Sequence, residues 1–244
     1  MFTGLYPLLP HALRIARRDA PPLRELLAEW AWAFAASVAR PLGFLPLAGA
    51  RGAGPRPVIL LHGYAMNRAN FALLARRLAA AGLGPIYGFE YWSLGRTSRA
   101  ARQLADFVAQ VRAATGAADV DLVGHSMGGV VARYYVAFAG GDPVVAHLVT
   151  LGSPHAGSEM SAYGVGHARR ELVAGSRLLD RLAAAAPPAH TRVTAIWSTA
   201  DALVPGGRQA PLAGADTVMF ERLGHLGLLA SARVAREVVL RLRG

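Results

Sequence analysis

Residues 120–130 read VDLVGHSMGGV. An apolar run stops at Gly124-His125-Ser126-Met127-Gly128, and a helix-like stretch, Met127 to Ala139, follows it. This order predicts a strand, a very tight turn and a helix. A turn of that kind strains the backbone of its central residue and leaves no room for neighbouring side chains. Gly124 and Gly128 supply the room, and Ser126 then stands exposed above the sheet edge.

The sequence outside this stretch fits one large domain. Its 244 residues are 53% hydrophobic, enough for a sizeable core, and a chain of this length buries roughly 70–75% of its unfolded surface. There is no cysteine, which excludes disulfides, iron–sulfur clusters and thiol chemistry. The formal charge is +11, but the positive residues are Arg spread over helix-forming sequence, with no basic run interleaved with aromatics. Nucleic acid is therefore not an expected partner. An anionic lipid surface fits the charge better.

Short apolar runs at Val58–Leu61, Pro85–Glu90, Val120–Val123, Val145–Leu151, Val193–Ser198 and Thr217–Glu221 have strand length. Helix-period segments such as Phe71–Ala81 and Arg99–Ala114 lie between them, the second striped by Leu104, Phe107, Val108 and Val111. The alternation predicts an α/β fold, a mainly parallel central sheet flanked by helices. Ligands of such sheets bind at the carboxyl ends of the strands. Three polar residues fall there: Ser126, Asp201 and His225. A serine hydroxyl needs a base to take its proton, and the base needs an acid to fix its tautomer, roles these three fill. Asp216 and Glu221 are the rival acids. Asp216 precedes its strand and so sits at the wrong sheet end, and Glu221 is only four residues before His225.

From about Arg56 onward the chain resembles the α/β-hydrolase superfamily, and within it bacterial lipases and esterases. The fragments carrying the resemblance are LLHGYAMN at 60–67, GHSMGG at 124–129, TLGSPHAGS at 150–158, STADALVP at 198–205 and LGHLGLL at 223–229. The chain order Ser126, Asp201, His225 is that of the superfamily. The resemblance implies a serine carboxylic-ester hydrolase acting through an acyl-enzyme on Ser126. It also implies an oxyanion hole built from the N–H groups of Tyr64 and Met127, with Gly63 letting backbone approach a small-molecule or lipid ester. An acyltransferase using the same acyl-enzyme, and a non-catalytic binding protein on the same fold, are the alternatives. His155 falls near the expected mouth of the site, in reach of substrate or in a structural role. His62 is expected to brace the loop, and His125 to pack or hydrogen-bond rather than react. No metal or nucleotide motif is present, so no cofactor is expected.

The expected domain plan is an N-terminal helical extension and linker over residues 1–55 and a hydrolase domain over 56–244. In the extension, Leu23 to Val38 is amphipathic, with Trp30 and Phe34 on its apolar stripe. It suits peripheral membrane contact or packing on the domain, and Ser37-Val38-Ala39 also resembles a signal-peptide cleavage site. Compartment is left open between membrane-associated and secreted. A cap or lid is expected within 156–192, where Arg169 to Ala186 has helical character; an ordinary crossover helix is the competing reading.

Overall fold

The computed structural model describes residues 52–159, 161, 164–204, 212 and 214–244. The expected extension, with its Leu23–Val38 segment, lies outside them apart from residues 52–55.

Six strands form one sheet: β1 (Val58–Leu61), β2 (Ile86–Phe89), β3 (Val120–His125), β4 (Val145–Leu151), β5 (Arg192–Ser198) and β6 (Asp216–Phe220). Their spatial order is β2-β1-β3-β4-β5-β6, and every neighbouring pair is parallel. The described helices are α1 (Ala72–Ala80), α2 (Thr97–Thr115), α3 (Met127–Phe138), α4 (Ala168–Glu171), α5 (Arg177–Ala183), α6 (Gly227–Ala230) and α7 (Ala232–Arg243).

β1 is apolar at every position because both faces of the sheet are covered. Ile59 and Leu61 enter one core cluster with Leu104 and Val108 of α2, Val130 and Val131 of α3, and Leu179 and Leu182 of α5. Val58 and Leu60 enter the other, with Leu74 and Leu78 of α1 and Val234 and Val238 of α7. Each such side chain contributes about 1.5–3 kcal/mol by leaving water. The two layers fix the sheet from both sides, and its carboxyl edge becomes a rigid platform.

The helical character expected over Arg169–Ala186 takes the form of two helices, α4 and α5. Between them Gly175 takes φ +73°, and Ser176 caps α5 by accepting the Leu179 N–H at 3.3 Å. The first helix ends at Leu172, whose N–H caps it on the Ala168 carbonyl; the left-handed Gly175 turns the connection and Ser176 starts the next helix. Leu172, Leu179 and Leu182 of the expected lid are buried in the core cluster, and Arg133 Nη2 of α3 donates to the Leu182 carbonyl at 2.7 Å. Glu171 ties α4 to α2, its Oε2 accepting the Thr97 N–H at 2.7 Å, where the positive end of the helix dipole favours a carboxylate.

The opposite end of the sheet holds a charged knot with no sequence motif. Asp121, 1% exposed, accepts from Arg56 Nε at 3.2 Å and lies 2.9 Å from His147 Nδ1. Arg56 Nη2 also donates to the Leu242 carbonyl at 2.7 Å, binding β1 to the C-terminal helix. Removing one member of a buried ion pair strands its partners. Asp121→Ala should therefore destabilise the fold by about 3 kcal/mol, read from urea unfolding, while leaving ester turnover per folded molecule unchanged. Wild-type stability in that variant would show the knot to be energetically neutral.

Candidate active site

The carboxyl end of β3 is held between its neighbours, with Gly124 opposite Leu61 of β1 and His125 opposite Leu151 of β4. The chain then turns sharply. Ser126 has φ 54° and ψ −126°, its N–H donates to the Leu151 carbonyl at 2.8 Å, and its own carbonyl accepts the Gly129 N–H at 3.1 Å. A non-glycine residue in that region costs about 1–3 kcal/mol and persists only where the surroundings dictate it. They do so by contact. A Cβ on Gly128 would sit 2.2 Å from the Leu61 carbonyl oxygen, and one on Gly124 would sit 2.5 Å from Gly129 Cα. Between residues 120 and 132, Ser126 alone is not fully buried.

The acid and base come from the loops after β5 and β6. His225 Nδ1 lies 2.7 Å from Asp201 Oδ2, and both residues are buried. The other carboxylate oxygen accepts the N–H groups of Leu203 at 3.0 Å and Val204 at 2.9 Å. Since a carboxylate only accepts, Nδ1 of His225 carries the proton and Nε2 is left as the acceptor, an assignment made from the hydrogen-bond network. Gly152 lets the pair sit against β4: a Cβ there would lie 3.0 Å from Asp201 Oδ2 and 3.3 Å from His225 Nδ1. Ser198 Oγ joins the two loops by accepting the N–H groups of Ala200 at 3.4 Å and Leu223 at 3.1 Å. The rival acids stand apart. Asp216 is exposed at the start of β6, 3.0 Å from Arg241 Nη1, and Glu221 is exposed.

The loop after β1 lies over the serine. A Cβ on Gly63 would be 2.9 Å from Ser126 Cβ and 3.4 Å from Oγ. Among the described residues, the N–H groups of Tyr64 and Met127 donate to no backbone or side-chain acceptor. Met127 opens α3, where N–H groups have no partner within the helix. Tyr64 anchors the loop outward through its hydroxyl, which donates to the Val165 carbonyl at 2.7 Å. His62 is buried and stacks on Tyr91 at 4.4 Å between ring centroids.

Two histidines have structural partners. His125 Nε2 donates to the His225 carbonyl at 3.0 Å, so the residue before Ser126 steadies the loop that carries His225. His155, expected at the mouth, is instead buried, with Nε2 3.0 Å from Thr150 Oγ1. The turn at Ser153–Pro154 folds it back onto β4, with its backbone N–H on the Ser153 carbonyl at 2.9 Å. Burial, reinforced by the Arg133 charge, lowers its pKa to about 3, and burial pushes that of His125 well below the ordinary value as well. Both are neutral in the native protein and take up protons near pH 6.5 only when unfolded. The unfolded chain then binds more protons than the native one, so stability falls as pH drops below about 6.5. For His155 the loss at pH 5 is about 2 kcal/mol. The melting temperature should fall between pH 7.5 and pH 5, and His155→Gln should reduce that fall; an identical fall in the variant would remove His155 as its source.

A cavity of about 600 Å³ runs between the start of α2 and residues 166–167, lined by Trp92, Arg96, Arg99, Gln103 and His167 among others. It shares no lining residue with the Ser126 centre. No three His, Asp or Glu residues among those described are grouped to hold a metal ion, and no described helix is long and apolar enough to cross a membrane.

The alpha/beta hydrolase fold family is matched over residues 56–195, and the chain belongs to it. A triacylglycerol lipase of Burkholderia plantarii is 36% identical over 155 residues, 53% of this chain and 42% of that protein. A triacylglycerol lipase of Pseudarthrobacter phenanthrenivorans is 49% identical over 61 residues, 25% of this chain and 18% of that one. The chain thus aligns with less than half the length of either relative. Among solved structures, the mature form of a Bacillus licheniformis lipase superposes with a TM-score of 0.67 at 14% identity, covering 78% of this chain and 92% of that one. Lipase B of Aspergillus fumigatus gives 0.68 at 16% identity, covering 80% and 54%. Identities this low speak for the fold alone.

Proposed function

We propose that the protein is a serine hydrolase of lipase or esterase type that cleaves carboxylic esters. The observation that carries this reading is the buried Asp201–His225 pair at 2.7 Å, whose polarity leaves His225 Nε2 as a proton acceptor in the fold that sets Ser126 on a strained turn. In this reading Ser126 Oγ attacks the ester carbonyl carbon and its proton passes to Nε2. The negative charge that develops on the carbonyl oxygen is met by the N–H groups of Tyr64 and Met127. Collapse expels the alcohol, which takes the proton from His225, and leaves an acyl-Ser126 ester. Water, deprotonated by the same imidazole, then releases the acid. Asp201 keeps the tautomer and stabilises the imidazolium in both halves. The neighbours and relatives named as lipases favour a small-molecule or lipid ester as substrate.

The test is turnover of p-nitrophenyl butyrate and palmitate together with covalent labelling by a fluorophosphonate probe. Hydrolysis of at least one ester and one label per chain are expected. A folded protein that neither hydrolyses nor labels would set the proposal aside.

A further inference from the structure

The loop His62–Arg68 carries the Tyr64 N–H, and its shape draws on contacts from outside the loop as well as within it. Its internal backbone hydrogen bond runs from the Met66 N–H to the Gly63 carbonyl at 3.3 Å, and Ala65 holds a left-handed φ of 54°. A donor that is to meet a developing oxyanion must stand within about 2.7–3.1 Å of it, so the loop needs support from outside.

Besides the Tyr64 hydroxyl on Val165, that support comes from Glu90, Tyr91 and Ser93, which follow β2. The register Leu61 opposite Phe89 carries on past both strands and sets Glu90 beside His62. Its Oε1 lies 3.2 Å from His62 Nε2, and its Oε2 accepts the Arg68 N–H at 3.1 Å. One carboxylate thereby hydrogen-bonds the last residue of the loop and makes a close contact with the first, whose ring donates through Nδ1 to the Gly63 carbonyl at 3.0 Å and leaves Nε2 without an aligned hydrogen bond. Tyr91 donates its hydroxyl to the His62 carbonyl at 2.7 Å, and Ser93 Oγ accepts the N–H of the strained Ala65 at 3.0 Å. Burial works to raise the Glu90 pKa, but the contacts with His62 and Arg68 outweigh it, and the net direction is downward. The group is a carboxylate at neutral pH.

We infer that Glu90 is a positioning residue: by bridging His62 and Arg68 it holds the Tyr64 N–H over Ser126, and it acts on the transition state without touching substrate. This rests on the proposed hydrolase reading. A displacement of a reacting or stabilising group by one ångström is worth about 100-fold in rate.

The experiment compares wild type, Glu90→Ala and Glu90→Gln with p-nitrophenyl butyrate, normalising kcat to sites titrated with a fluorophosphonate. Affinity for a trifluoromethyl ketone, whose hydrate-like adduct on serine carries an oxyanion, is measured alongside. Glu90→Ala should lower kcat per titrated site by about 10- to 100-fold with KM within about threefold, and weaken the ketone in parallel. Glu90→Gln, whose amide oxygen still accepts from Arg68, should fall between. Should the alanine variant not fold, the glutamine variant against wild type carries the same comparison. Unchanged kcat per titrated site, whatever the loss of titratable protein, would overturn the inference, because a merely structural residue changes the number of sites and not their rate. A wild-type protein that turns over no ester refutes the hydrolase reading itself, a result visible before any Glu90 variant is made.

Discussion

Ser126→Ala should lower ester hydrolysis by about 10⁵- to 10⁶-fold and abolish fluorophosphonate labelling, with the melting temperature nearly unchanged. The size follows from chemistry: without Oγ there is no acyl-enzyme, and the residual rate comes only from the N–H donors and binding. The stable fold follows from geometry. Alanine keeps the Cβ, so it retains the strain at φ 54° and the packing against Gly63, and the lost hydroxyl is not fully buried. Ser126→Gly provides the complement. Glycine relieves the left-handed strain, so this variant should be as inactive as alanine but more stable than it by about 1 kcal/mol. Labelling that survives in either variant would place the nucleophile elsewhere. A glycine variant no more stable than alanine would show that the turn carries no strain.

Much of this site is readable in the sequence because it obeys a local rule. Ser126, Asp201 and His225 each follow a short apolar run, and the run locates the carboxyl end of a strand without any knowledge of partners. The same rule passes over Glu90, which lies inside the run Pro85–Glu90 and follows the strand only because β2 ends at Phe89, and no motif singles it out. Its role appears only when the β1–β2 register sets it beside His62, 28 positions away in the chain. The knot of Arg56, Asp121 and His147 is hidden for the same reason, since it depends on three strands lying side by side. Of the two roles open to His155, the structural one fits its burial. It lies in the fragment after β4, near the mouth, but the turn at Ser153 and the contact with Thr150 Oγ1 draw it inward. Within Arg169–Ala186 the helical character is split: Leu172, Leu179 and Leu182 are all buried, but Gly175 lies between them at φ +73°. Periodicity reports which side faces the core, and the break was written in Gly175-Ser176.

Asp201→Asn should lower kcat by about 10⁴-fold while leaving the fold intact. The asparagine oxygen can still accept the N–H groups of Leu203 and Val204, which hold Asp201 Oδ1 at 3.0 and 2.9 Å. Its amide nitrogen then faces His225 Nδ1 in place of Oδ2, and a donor there forces the imidazole proton to Nε2. In that tautomer His225 presents N–H to Ser126 and cannot take its proton. Removing the imidazole altogether, in His225→Ala, should be at least as damaging, because the three groups act as a unit. Asp216 supplies the control. It is exposed and paired with Arg241 at 3.0 Å, at the far end of β6 from His225, so Asp216→Asn should change kcat by less than about twofold, as surface ion pairs of this kind contribute about 1 kcal/mol or less even to stability. If Asp216→Asn costs more activity than Asp201→Asn, the acid is misassigned, and with it the tautomer on which the proton transfer from Ser126 depends.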